Sequence, residues 1–142
     1  MAQQVIGIGT LANDGSGDPV RTAFNKINLN FTEVYAYTTA TTGLNTQAGA
    51  SYTLTLADAG DVVEGNSASA QTFTVPPNST AAFPLNTVIL IRQYGAGKVT
   101  LAPGAGVTIR ARGAVLGLAG QYAEASLTKR ATDEWVLSGD LG

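Results

Sequence analysis

From Tyr52 onward the apolar residues recur at every second position, and this period restricts the possible fold more than any other feature of the chain. Tyr52, Leu54 and Leu56 alternate with Thr53 and Thr55, which gives a strand one buried and one wet face. Residues 62–64 start another short strand after the turn at 57–61. Residues 71–75 place Phe73 and Val75 inward. Pro76 and Pro77 end that strand, because proline cannot donate into a central ladder. Residues 87–94 (TVILIRQY) are apolar on both faces, so this strand is expected at the centre of a sheet or at a subunit contact. Two echoes follow: Gly95-Ala96-Gly97 before Val99-Thr100-Leu101, and Gly104-Ala105-Gly106 before Val107-Thr108-Ile109. They hint at a winding β-topology, though they are too brief to establish a repeat. Residues 115–118 read as a short strand. Residues 122–128 set Ala123, Ala125 and Leu127 on one side, and Trp135 and Leu137 share a face after a turn at Thr132-Asp133. About eight short strands at ~8–12-residue spacing predict a mainly-β fold, with a β-sandwich or barrel-like domain over residues 46–142.

Residues 1–45 read differently, as an extended arm and one helix. Residues 3–11 (QQVIGIGTL) predict an extended stretch able to pair as a strand, and residues 13–17 (NDGSG) a turn. Residues 18–35 (DPVRTAFNKINLNFTEVY) predict an amphipathic helix. Asp18 suits the N-cap and the positive end of the helix dipole, and Pro19 suits the first helical position. Val20, Phe24, Ile27, Phe31 and Val34 are spaced four, three, four and three apart, the seam of a coiled coil over about two heptads. Arg21, Asn25, Lys26, Asn28 and Glu33 fall on the opposite face. A narrow strip with two phenylalanines predicts a surface that meets copies of the same chain or a larger assembly; the plainer alternative is a helix lying on its own sheet. The helix fades through the Thr-rich residues 36–42, and residues 43–51 (GLNTQAGAS) read as a flexible link.

Composition removes most chemistry. The 142 residues contain neither histidine nor cysteine. Thiol chemistry, disulfides, the common zinc sites and histidine proton transfer are therefore excluded. Only 13% of residues are charged and the net charge is −2, so no bias points to nucleic acid or a membrane surface. No secretion signal is expected from an N-terminus without a basic region, which sets aside the sequons at Asn30 and Asn78. No run approaches the ~18 apolar residues of a membrane span. Gly95-Ala96-Gly97-Lys98 fails as a phosphate loop, since Val99 stands where Ser or Thr is needed and no helix follows. Asp14, Ser16 and Asp18 have the alternate spacing of a calcium loop but lack its glycine and its late glutamate, so a turn is the expected reading. Asp58, Asp61 and Glu64, and Asp133 with Glu134, are acids at expected turns or strand ends, where solvation is normal. No catalytic residue, cofactor or metal site is expected. Arg110, Arg112, Lys129 and Arg130 form a candidate basic patch. It is a solvated rim by default, or else a contact for acidic sugars or an acidic neighbouring subunit. Tyr37, Tyr52, Tyr94 and Tyr122 could stack on sugars, but all stand where burial is expected.

Residues 13–28 (NDGSGDPVRTAFNKIN) with Asn30, Phe31, Thr32, Glu33 and Tyr35 resemble a motif near the N-termini of tail-fibre and related structural proteins of tailed bacteriophages. The later chain is similar, more loosely, to a small β-domain of phage virion proteins, at residues 56–60, 67–70, 74–76, 92–97, 118–122 and 135–141. The resemblance implies a virion structural protein, a homotrimeric fibre or spike component touching other virion proteins in the tail, neck or capsid surface. Long fibres continue into shafts and receptor-binding tips, whereas this chain has one β-domain. A short fibre, an anchor or a capsid or neck decoration is therefore the favoured expectation. The alternative is an adhesin that binds host-surface glycan; an enzyme is not expected.

Overall fold

The computed structural model describes residues 4–11, 14–39 and 42–142, with the side chains of 35–39 excluded. Gln3, Asn13 and the Thr-rich helix end at 40–41 lie outside the described residues, as do the side chains of Tyr35 and Tyr37. The chain divides into two compact units, Met1–Thr41 and Thr42–Gly142.

The first unit is built on α1 (Val20–Thr39). Its first helical bond runs from the Ala23 N–H to the Pro19 carbonyl, so Pro19 stands at the cap and Asp18 lies just outside it. Residues 4–11 are in no strand, contrary to expectation. Their backbone donors are taken by side chains instead: Gln4 N–H by Asn30, Gly7 N–H by Asp18, and the Thr10 and Leu11 N–H groups by Asp14.

The second unit is mainly β, with nine strands in two sheets. The strands are β1 (Leu44–Gln47), β2 (Ser51–Thr53), β3 (Val62–Gly65), β4 (Gln71–Val75), β5 (Val88–Gln93), β6 (Val99–Pro103), β7 (Thr108–Ala111), β8 (Glu124–Ala131) and β9 (Glu134–Gly139). The six-stranded sheet has the order β1-β3-β5-β8-β9-β7, and the three-stranded sheet β2-β4-β6. The first six strands alternate between the sheets, and each of β1 to β4 pairs in parallel with the strand two ahead. The chain therefore winds through three coils. Between the second and third coils the offset is 28 residues in both sheets (90 − 62 and 99 − 71). The antiparallel strands β8 and β9 then extend the larger sheet.

One apolar core fills the space between the sheets, as in a sandwich. Val63, Ile89, Ile91, Ala125, Leu127, Trp135 and Leu137 come from the larger sheet, and Phe73, Val75, Val99 and Leu101 from the smaller. Phe73 and Val75 point inward as expected, and the side expected to be shared by Ala125 and Leu127, like the face shared by Trp135 and Leu137, is the buried one. Trp135 meets Phe83 edge-on at 5.3 Å.

Three expectations are corrected. The stretch read as a flexible link contains β1, which pairs with β3 although it carries only one apolar residue. Residues 115–118 form no strand; Leu116 and Leu118 bond to β6, and Gly117 and Leu118 make isolated bridges. Strand β5 is central, but its outer face is only partly covered: Ile89 and Ile91 are buried, Leu90 half-buried and Val88 exposed.

The echoed glycines also find their reason. A Cβ on Gly95 would fall 2.3 Å from the Ser67 carbonyl oxygen, and one on Gly97 1.9 Å from that of Ser69. The corner at 95–97 thus rests directly on the corner below it, and the Gly97 N–H donates to Ser67. Buried glutamines brace these corners. Gln71 donates to the carbonyls of Gln47 and Gly49, and Gln93 accepts from the Val99 N–H. The second glycine triplet rests on the coil below only at Gly104, where a Cβ would fall 2.8 Å from the Val75 carbonyl oxygen; Gly106, at φ +78°, has open space around it.

Candidate functional site

The helical unit is the part of the molecule whose chemistry is least satisfied internally. Its polar face is occupied by its own arm. Asn30 receives the Gln4 N–H at 2.8 Å and returns an amide proton to the Gln4 carbonyl at 3.0 Å. Lys26 Nζ donates to the Val5 carbonyl at 2.9 Å and to Asp18 at 2.7 Å, and Asp18 also accepts from Gly7. Asp18, Lys26 and Asn30 are eight and four residues apart, so one helical stripe forms the seat of the arm. Asp18, expected as an N-cap, is instead this clamp. Its bonds to Lys26 and to Gly7 hold its carboxyl below the usual aspartate range.

The loop before the helix closes around Asp14. One of its oxygens accepts from the Thr10 N–H, the Thr10 hydroxyl and the Leu11 N–H, and the other accepts from the Ser16 N–H. These bonds, led by that of Ser16, hold the carboxyl far below its ordinary value. Gly9, at φ +80°, leaves room for Asp14, because a Cβ there would meet its Oδ1 at 2.6 Å. The Asp14, Ser16 and Asp18 spacing that suggested a cation loop therefore serves hydrogen-bond donors of the protein itself.

The other stripe carries the expected seam. Val20, Phe24, Phe31 and Val34 are 72%, 60%, 56% and 53% exposed, and Ile27 is half-buried. Ile27, Asn30, Phe31 and Val34 line a mostly apolar hollow of about 260 Å³. The arm adds Val5, Ile8 and Leu11, all exposed. Among the described residues of this unit, no side chain is buried. A helix of this length without a core is marginal in water, and an apolar strip of this extent marks a contact surface.

Elsewhere the candidates prove structural. Asp58, expected to be solvated, is 1% exposed and accepts from Asn45, Tyr52 and Thr55. Glu64 is buried beside Thr46 and Arg92. Asp61 accepts from the Gly43 N–H and Asp133 from the Asn78 N–H. Lys129 leaves the expected basic patch: it is buried, donates to Asn78 and to the Phe83 carbonyl, and lies 5.9 Å from the Trp135 ring centre. Arg110 and Arg130 share Glu134, at 2.6 and 3.1 Å. The bond from Arg110 is the main cause that holds the Glu134 carboxyl below its usual range. Tyr94 and Tyr122, expected to be buried, are exposed and meet edge-to-face at 5.7 Å. They follow the Arg92–Glu124 pair on the outer face of the sheet, a position that alternation along β5 alone assigns. Among the described residues no group of three or more acids could hold a metal ion, and no helix is long and apolar enough to cross a membrane. No protein-family model and no curated protein matches the chain.

Proposed function

We propose that this chain is a structural protein of a bacteriophage virion, a short fibre, spike or anchor component built in as a homotrimer through its first helix. Its place is the tail, the neck or the capsid surface, where it touches other virion proteins and acts by assembly rather than catalysis. One observation carries this reading. Among the described residues, eight of the fourteen exposed large apolar side chains lie in the first unit, seven of them on the seam and the arm, while the polar stripe of the same helix is already bonded. The resemblance of residues 13–35 to the phage tail-fibre motif supplies the setting.

Three copies of the seam, each facing the common axis, would bury these strips together. Full burial of one phenylalanine is worth about 1.5–3 kcal/mol, and three chains multiply it. Phe24 is the direct test, since its side chain is exposed in the single chain. Phe24→Asp places a charge on the axis and is expected to give monomers by light scattering, with the thermal transition of the β unit unchanged. A variant that keeps the native mass would overturn assembly through the helix.

A further inference from the structure

Strands β7 and β9 lie side by side in parallel, with Arg110 beside Val136 and Ala111 beside Leu137. Just past β7 the chain turns at Gly113 and Ala114, at φ 65° and 56°. Alanine is rarely held in this region, and such positions cluster where a site is being shaped. The turn leads back through Val115, and near the C-terminus Leu141 lies beside Leu118. Arg110, Arg112, Val115, Val136, Ser138 and Leu141 all line a cleft of about 500 Å³ formed there.

Charge and apolarity meet in this cleft. Arg110 and Arg130 share the single carboxylate of Glu134. The Arg112 carbonyl accepts from the Val115 N–H, but its side chain has no hydrogen bond or ion pair among the described residues. The guanidinium fork of Arg112 is therefore unused, and the local balance is positive in a chain of net charge −2. Val115, Val136 and Leu141 are half-buried and give the cleft apolar walls. The volume lies within the range of small-molecule sites, which pair apolar walls with a few placed polar groups.

We infer that this cleft binds a small carboxylate carried on a ring with one apolar face, of which a uronic acid is the chemical type. The carboxylate meets the Arg112 fork, the C–H face of the ring lies against Val115, Val136 and Leu141, and a ring hydroxyl reaches Ser138. A flexible acidic peptide supplies the carboxylate but no rigid apolar face for those walls. The inference does not depend on assembly through the helix, and each can fail without the other.

The test uses the full chain and follows backbone amide resonances during titration with D-glucuronate, methyl β-D-glucoside and an acetylated Glu-rich tetrapeptide. Glucuronate is expected to shift Arg112, Val115 and Ser138, and the neutral glucoside to bind at least about tenfold more weakly. Arg112→Gln is expected to lose a similar factor at an unchanged melting temperature. Arg112→Lys keeps the charge without the fork and should fall between; it also serves if the glutamine variant does not fold. Absence of shifts, equal affinity for the glucoside or unchanged affinity in Arg112→Gln overturns the inference. A tetrapeptide that binds as tightly as glucuronate also overturns it, by assigning the cleft to protein acids.

Discussion

Asp14 accepts four hydrogen bonds from its own loop, and Asp18 accepts from Gly7 and Lys26 across 11 and 8 residues. Both carboxyls titrate below their ordinary value of 3.8. The sign follows from linkage. A depressed folded pKa gives stability that is fully present above the unfolded value and is lost as pH falls through the folded one. The arm should therefore stay seated from neutral pH down to about 4, and release as pH drops below 3.8. The Gly7 amide resonance, tied to Asp18, should move toward its random-coil position first, and those of Thr10 and Leu11, tied to the more strongly depressed Asp14, only at lower pH, while those of β5 and β8 hold. A Gly7 amide that holds its position after the Thr10 and Leu11 amides have moved would show that contacts other than the Asp18 clamp hold the arm. The turn at Asp14 was legible because its partners are within four residues. The clamp at Asp18 was not, because the N-cap rule is local and the partners of Asp18 lie beyond the turn on one side and two helical turns away on the other.

Among the elements, legibility followed side-chain pattern. Strands β4, β8 and β9 show clean alternation and lie where the sequence put them to within a few residues. Strand β1 (LNTQ) has no such pattern; it exists because its backbone pairs with β3 and because Asn45 bonds to Tyr52 and Asp58. That information lies 18 residues away (62 − 44). The coiling was half legible, since the glycine triplets were visible but the stacking partner of the first, the Ser67–Ser69 corner, shares only its middle alanine with it. The stacking predicts a contrast. Gly97→Ala puts a methyl group on the Ser69 backbone, which cannot swing away, so the coils must separate. A cost of about 1–3 kcal/mol or more is expected. Gly120→Ala meets nothing within 4 Å and has no left-handed φ, so its effect should stay within about 1 kcal/mol. For a domain of this size about 1 kcal/mol moves the melting temperature by roughly 4–8 °C, so thermal unfolding separates the two. Equal melting of both variants would mean that the corners are not in backbone contact.

At the scale of the whole molecule, the two units differ in what they bury. All of the buried core belongs to residues 54–137, inside the second unit, and the first unit has no buried side chain among its described residues. Stability and assembly should therefore be separable properties of one chain. A protein comprising residues 42–142 keeps the three coils, β7, the β8–β9 pair and the core between the sheets. It is expected to retain its strand signal in circular dichroism and to melt in one cooperative step, because the apolar burial that drives folding is intact. In solution it should be a monomer, because the seam from Val20 to Val34 and the apolar arm residues Val5, Ile8 and Leu11 are gone. The melting temperature of the full chain should rise with protein concentration in the component that reports α1, as coupling to association requires, while that of residues 42–142 should not. A truncated protein that still sediments as a trimer would move the assembly surface to the β unit. The exposed Val88 and Leu44 on the outer face of the larger sheet would then be the first residues to replace.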